Sequence, residues 1–154
     1  MNLYLVQHGE AVSKEVDPER PLSARGRQEV SKVVQFAATN CRPSAVHIHH
    51  SGKLRARQTA EILAASLGLP APIQIDGLAP LDAPGLWACR CQTLEDSIML
   101  VGHLPHLARL TGALLCGGPK NAPVKFQMGG IVALVKEEGL WSLQWMLGPD
   151  MLAG

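Results

Sequence analysis

Short apolar runs recur along the chain, and the stretches between several of them repeat their apolar residues every three or four positions. The first run, Leu3-Tyr4-Leu5-Val6, predicts a buried strand ending at Gln7. Ala45–Ile48, Ile73–Ile75 and Ser97–Val101 predict further strands. Val30, Val33, Val34 and Ala37 form the inward stripe of a helix that opens at Ser23 and runs to about Asn40, with Ser23 as its N-cap. Ala60, Leu63, Ala64 and Leu67 do the same for a helix over Leu54–Leu67, closed by Gly68. Leu86–Leu94 and Leu104–Leu115 are further helical segments. Glu10–Leu22, Gly77–Gly85 and Cys116–Gly130 carry the prolines and glycines of loops. Ile131–Val135 and Trp141–Met146 predict a terminal hairpin turning through Lys136–Gly139. Alternating strands and helices predict an α/β fold in which 1–154 form one three-layer domain. Its sheet is mostly parallel, with helices on both faces and a C-terminal β-hairpin.

Composition narrows the function classes. The 154 residues are 47% hydrophobic and 18% charged, with a formal net charge of +1. No global field selects for nucleic acid or membrane, so an anion site must be a local cluster. No basic run is interleaved with aromatics, which argues against nucleic-acid binding. No apolar run approaches the roughly 20 residues of a membrane span. The N-terminus lacks the basic segment of a signal peptide and begins with a strand, so the expected location is cytoplasmic. Cys41, Cys89, Cys91 and Cys116 lack the spacing of a structural zinc site and are expected to be free thiols.

The chemistry concentrates at strand ends. His8 follows the first strand and His103 the fourth, and each borders a glycine, in His8-Gly9 and Gly102-His103. Strand ends of one parallel sheet share an edge, which is where open α/β sheets bind ligands. Arg20 lies in the loop after the first strand, and Arg55 in the first turn of the helix after the second. Both can reach that edge, and a guanidinium donates two parallel hydrogen bonds to a phosphoryl group. Lys53 and Arg57 flank Arg55, but consecutive helical positions diverge, so only one or two of the three can face the site. Two histidines and two arginines without a dense carboxylate cluster describe a phosphoryl pocket that requires neither metal nor cofactor. His47, His49 and His50 form a weak metal signal, since His47 and His49 share one strand face and His50 takes the other.

Four segments carry a resemblance over nearly the whole chain. They are Leu5-Val6-Gln7-His8-Gly9-Glu10-Ala11, Arg20-Pro21-Leu22-Ser23, Ser51-Gly52-Lys53-Leu54-Arg55-Ala56-Arg57-Gln58-Thr59-Ala60 and Val101-Gly102-His103-Leu104-Pro105. In this order they resemble the histidine phosphatase superfamily, with its phosphoglycerate-mutase-like fold, and within it the small SixA-type phosphohistidine phosphatases. The resemblance implies that His8 is the nucleophile, forming a phosphohistidine intermediate that water then hydrolyses. It also implies that Arg20, Arg55 and His103 hold the phosphoryl oxygens, with Arg55 and His103 joining His8 in catalysis. The physics agrees, because nearby arginines disfavour a second positive charge and keep His8 neutral, and they neutralise the transferred group.

Two positions depart from the family pattern. The first motif usually reads Arg-His-Gly, and here Gln7 stands in the arginine's place. Its amide still donates a hydrogen bond to phosphate, but a charge-assisted bond contributes roughly 1.5–3 kcal/mol against about 1 for a neutral one. A weakened site is therefore expected. Many members also place a glutamate in the loop after the third strand as general acid. Here the candidates are Asp82 and, three residues before Arg20, Asp17. A phosphohistidine bond is labile and leaves with little help, whereas an alkyl phosphate leaves poorly without an acid. The expected substrate is thus a phosphohistidine-containing protein, a phosphotransfer domain or carrier, with inorganic phosphate as product. The alternatives are a phosphatase for small phosphate esters and a catalytically weak phosphohistidine-binding module.

Overall fold

The computed structural model describes residues 1–152. Among these the order is β1 (Asn2–Gln7), α1 (Ala24–Asn40), β2 (His47–His50), α2 (Leu54–Leu67), β3 (Ile73–Gln74), α3 (Gly85–Thr93), β4 (Ile98–Gly102), α4 (His106–Leu115), β5 (Ile131–Glu137) and β6 (Leu140–Leu147), then a 3-10 turn at Pro149–Leu152. The strands form one sheet in the order β3-β2-β4-β1-β5-β6. The first four of that order run parallel, and β5 and β6 add the antiparallel hairpin. No helix of the described residues is long and apolar enough to cross a membrane. All four cysteines are free.

The alternation of side chains along a strand divides the core in two. Tyr4 and Val6 of β1, with Met99 and Val101 of β4, pack against Val30, Val33 and Val34 of α1 and Ala60 and Leu63 of α2. Leu3 and Leu5, with Ile98 and Leu100, point the other way against Trp87 of α3 and Leu107 and Leu110 of α4. The central strands are thus buried on both faces, which is why their sequences read as continuous apolar runs.

Helix ends follow their local chemistry. The Ser23 hydroxyl accepts the Gly26 N–H at 3.0 Å and caps α1. Gly68 closes α2 with φ +65°, a conformation that favours glycine. Some boundaries differ from those the pattern predicts. The second strand is His47–His50 rather than Ala45–Ile48, because parallel pairing with β4 uses backbone groups and admits polar side chains. The fourth strand begins at Ile98 and takes in Gly102, and α4 starts at His106, beyond Pro105. The hairpin turn is tighter than Lys136–Gly139. Glu137 pairs with Leu140, and the two residues between, Glu138 and Gly139, both have positive φ, the geometry that suits the twist of a hairpin.

Candidate active site

Strand register brings the two histidines together. Gln7 of β1 lies beside Gly102 of β4, and the His8 N–H donates to the Gly102 carbonyl at 3.1 Å. The ladder thus reaches the residues where both chains leave the sheet. The two imidazole centroids sit 5.0 Å apart, tilted by 50°. Both rings are buried.

Each ring has a defined partner. His8 Nδ1 lies 2.7 Å from the Gly9 carbonyl oxygen. A carbonyl only accepts, so Nδ1 carries the proton and Nε2 keeps its lone pair. Burial pulls the His8 pKa down from 6.5 to about 4. The Gly9 hydrogen bond opposes this, and the charges of Arg55 and Arg20 add to it. His103 Nε2 lies 2.6 Å from the Ser51 hydroxyl. Burial, then the neighbouring His8, Arg55, Lys53 and His106, hold His103 down at about 3. Both rings are therefore neutral at pH 7.

One arginine comes from a helix start and the other from a loop. Arg55, the second residue of α2, is partly desolvated, and its pKa is lowered first by burial and then by the charge of Arg20. Its Nε is buried with no hydrogen-bond partner among the described residues. Arg20 is tethered. Its Nε donates to the Val12 carbonyl at 3.1 Å and its N–H to the Asp17 carbonyl at 3.0 Å. Its φ of +50° is strained for a side-chain-bearing residue, at about 1–3 kcal/mol. Arg57 reaches Glu61 at 3.5 Å and is solvated. Lys53 is exposed but close enough for its charge to act on His103.

The remaining candidates lie as follows. The Gln7 side-chain oxygen is buried with no hydrogen-bond partner among the described residues. Asp17 Oδ1 accepts the Glu19 N–H at 2.9 Å, so this carboxylate shapes the turn that presents Arg20. Asp82 Oδ2 accepts the Ala79 N–H at 2.9 Å, and its charge acts on His106. No carboxylate is among the charges that shift His8, Arg55 or His103. His49 faces Trp87 of α3 at 6.2 Å, with His47 beside it at 6.4 Å. His50 Nδ1, on the opposite face, accepts the Gly52 N–H at 3.1 Å.

Reading residue types alone passed over the supporting hydroxyls and amide. Thr59 Oγ1 accepts the Gly9 N–H at 3.0 Å and donates to the Arg55 carbonyl at 2.8 Å. One hydroxyl thus joins the turn after His8 to the turn bearing Arg55. Gln58 Oε1 accepts the Leu22 N–H at 2.8 Å, and Ser23 Oγ donates to the Glu10 carboxylate at 2.8 Å. Gly26 permits this closeness, since a Cβ there would sit 2.1 Å from the Glu10 carbonyl oxygen. Ser51, Gln58 and Thr59 all lie in the segment Ser51–Ala60, and their proximity to an arginine helix start was the available signal.

Comparison with known proteins agrees with this geometry. Residues 3–82 match the sequence profile of the histidine phosphatase superfamily (branch 1). An uncharacterized protein of Picosynechococcus sp. is 36% identical over 146 residues, covering 87% of this chain and 84% of that protein. A structure of the protein histidine phosphatase SixA complexed with tungstate superposes with a TM-score of 0.86 at 26% identity, covering 99% of this chain and all of that one. A putative phosphohistidine phosphatase SixA from Agrobacterium tumefaciens gives 0.72 at 27% identity, covering 96% and 97%. A phosphoserine phosphatase mutant from Entamoeba histolytica shares the fold, with a TM-score of 0.74 at 17% identity over 99% of each chain.

Proposed function

The chain belongs to the histidine phosphatase superfamily (branch 1), and from that premise we propose that it hydrolyses phosphoryl groups carried on protein histidine. One observation supports this reading above the rest. The His8 and His103 rings lie 5.0 Å apart, and the charges of Arg55 and Arg20 reach His8. Half-buried positive charge beside two buried imidazoles suits a dianion. The SixA structure complexed with tungstate supplies an analogy, since tungstate is a tetrahedral oxyanion like phosphate.

The steps follow from the side chains. His8 Nε2 attacks phosphorus, and a new N–P bond forms as the N–P bond of the substrate breaks. The departing imidazole takes a proton from water. A water molecule then cleaves the Nε2–P bond, releasing inorganic phosphate and restoring His8. Because burial already keeps His8 deprotonated, the attack requires no separate base. Arg20, Arg55 and His103 carry the phosphoryl oxygens through both transfers. Asp17 and Asp82 are engaged with backbone N–H groups. With both candidate acids engaged in this way, a labile phosphoramidate is favoured over an alkyl ester. Gln7, a neutral amide where the family pattern has arginine, favours a slow catalyst and, at the limit, a phosphohistidine-binding module.

The test uses a radiolabelled, histidine-phosphorylated phosphotransfer domain, quenched in alkaline detergent. Label transferred to His8 in the wild type, and absent with phosphate release in His8→Ala, is the expected result. Equal release from both proteins sinks the reading. Faster turnover of a simple phosphate ester than of the phosphoprotein replaces it with the small-ester reading. Binding of the phosphoprotein without label on His8 or release of phosphate leaves only the binding module.

A further inference from the structure

Outside the histidine pair lies a groove of about 730 Å³. Its walls are the loop after β3, the first turns of α4 and the loop 119–122, contributing Leu81, Asp82, Pro105, Ala108, Arg109 and Lys120 among others. Pro105 lies two residues beyond His103. His106 is wholly buried at the start of α4, where the charges of Asp82 and Arg109 act on it and its own acts on His103. The groove therefore adjoins the reacting histidines.

Its chemistry is uneven. Its apolar lining is leucine, proline and alanine, and Leu81 is 82% exposed. Two cations, Arg109 and Lys120, and one carboxylate, Asp82, also line it, and Asp82 already holds the Ala79 N–H. Neither cation forms an ion pair among the described residues. The volume falls within the range of about 300–1,000 Å³ typical of ligand sites, beyond what a phosphoryl group or one imidazole fills. An exposed apolar surface beside unpaired cations is complementary to a polypeptide carrying apolar and acidic side chains.

Building on the phosphohistidine reading above, we propose that this groove docks the substrate protein. It would take an apolar, acidic segment flanking the phosphohistidine, with the apolar side chains against Leu81, Pro105 and Ala108 and the acid between Arg109 and Lys120. The groove sets affinity and partner choice, while the histidine–arginine cluster performs the transfer.

The double variant R109E/K120E tests this, because both side chains are exposed and neither belongs to the phosphoryl cluster. Two probes are compared: a histidine-phosphorylated phosphotransfer domain with an acidic surface beside its histidine, and phosphoimidazole. The expected outcome is a KM for the domain raised tenfold or more at unchanged kcat, with phosphoimidazole unaffected. Raising ionic strength should increase the wild-type KM for the domain and lower that of the variant, because salt screens the attraction in the first and the repulsion in the second. An unchanged KM for the domain overturns the docking proposal and leaves the phosphohistidine reading intact. Equal losses on both probes also overturn it, since the groove would then belong to the small-molecule site. Failure of the wild type on both probes overturns the phosphohistidine reading and the docking built on it.

Discussion

The two sides of the site are built differently. On one side, the loop after β1 and the start of α2 are cross-tied by Thr59 to Gly9, Gln58 to Leu22, Ser23 to Glu10 and Arg20 to Val12. On the other, the loop after β3 and the start of α4 flank an open groove, and Asp82 to Ala79 is a tie within a single loop. The tied side carries Arg20 and Arg55 and falls within the stretch 3–82 that matches the family. Phosphoryl transfer needs donors fixed in place before the reaction, and reorganising them would raise the barrier. Docking a protein surface asks only for complementary shape and charge. On the reading proposed above, the contrast would separate catalysis from recognition within one sheet edge.

The sharpest way to break this contrast is Arg55→Ala. It should lower kcat by about a hundred- to a thousand-fold, the usual loss for one transition-state donor. A change confined to KM in steady-state assays would show that the tied side only binds. Next comes acid sensitivity of the seam between the two sides. Unfolded histidines protonate near 6.5, whereas folded His8 does so near 4 and His103 near 3. As pH falls below 6.5 the unfolded chain binds more protons, so stability drops by about 1.4 kcal/mol per pH unit for each ring. The His8 contribution levels off once the folded ring protonates near 4. Urea unfolding should give a clearly lower midpoint at pH 5 than at pH 7, and equal midpoints would mean that the rings are hydrated.

Thr59→Val is a smaller change that tests the ties themselves. It strands the buried Gly9 N–H, a loss of about 1–3 kcal/mol. Both the melting temperature and kcat should fall, with KM for the phosphoprotein little altered, whereas groove variants should do the reverse. The smallest effect expected is a gain. Gln7→Arg should raise kcat by up to about tenfold, the difference between a neutral and a charge-assisted bond. An unaltered rate would show that the neutral amide costs the reaction nothing.

Much of this contrast was legible in the residues. Leu3–Val6 and Ile98–Val101 announce buried parallel strands, and once those strands are neighbours, His8 and His103 must meet. Arg20 and Arg55 were visible as cations placed near that edge. The ties were not legible. Thr59 and Gly9 are 50 residues apart, Gln58 and Leu22 are 36 apart, and no periodicity encodes a side chain meeting a distant backbone N–H. The left-handed backbone of Arg20 was hidden too, because the residue before a proline ordinarily adopts an extended conformation. The groove escaped notice because its walls come from three separated segments with no shared pattern. The limits of β2 were not legible, because its pairing with β4 runs through backbone groups and tolerates the polar His47, His49 and His50.

The alternation of β1 between two cores has a consequence for how this chain can vary in length. Tyr4 and Val6 belong to one core, Leu3 and Leu5 to the other, and His8 follows in the same phase. One residue inserted or deleted within Leu3–Val6 would move the side chains on one side of the change to the opposite face and break the alternation that leads to His8. No compensating change elsewhere restores that phase. The loop 117–123, exposed for most of its length, has no such parity to keep. Variation in chain length should therefore collect in that wall of the groove, away from His8.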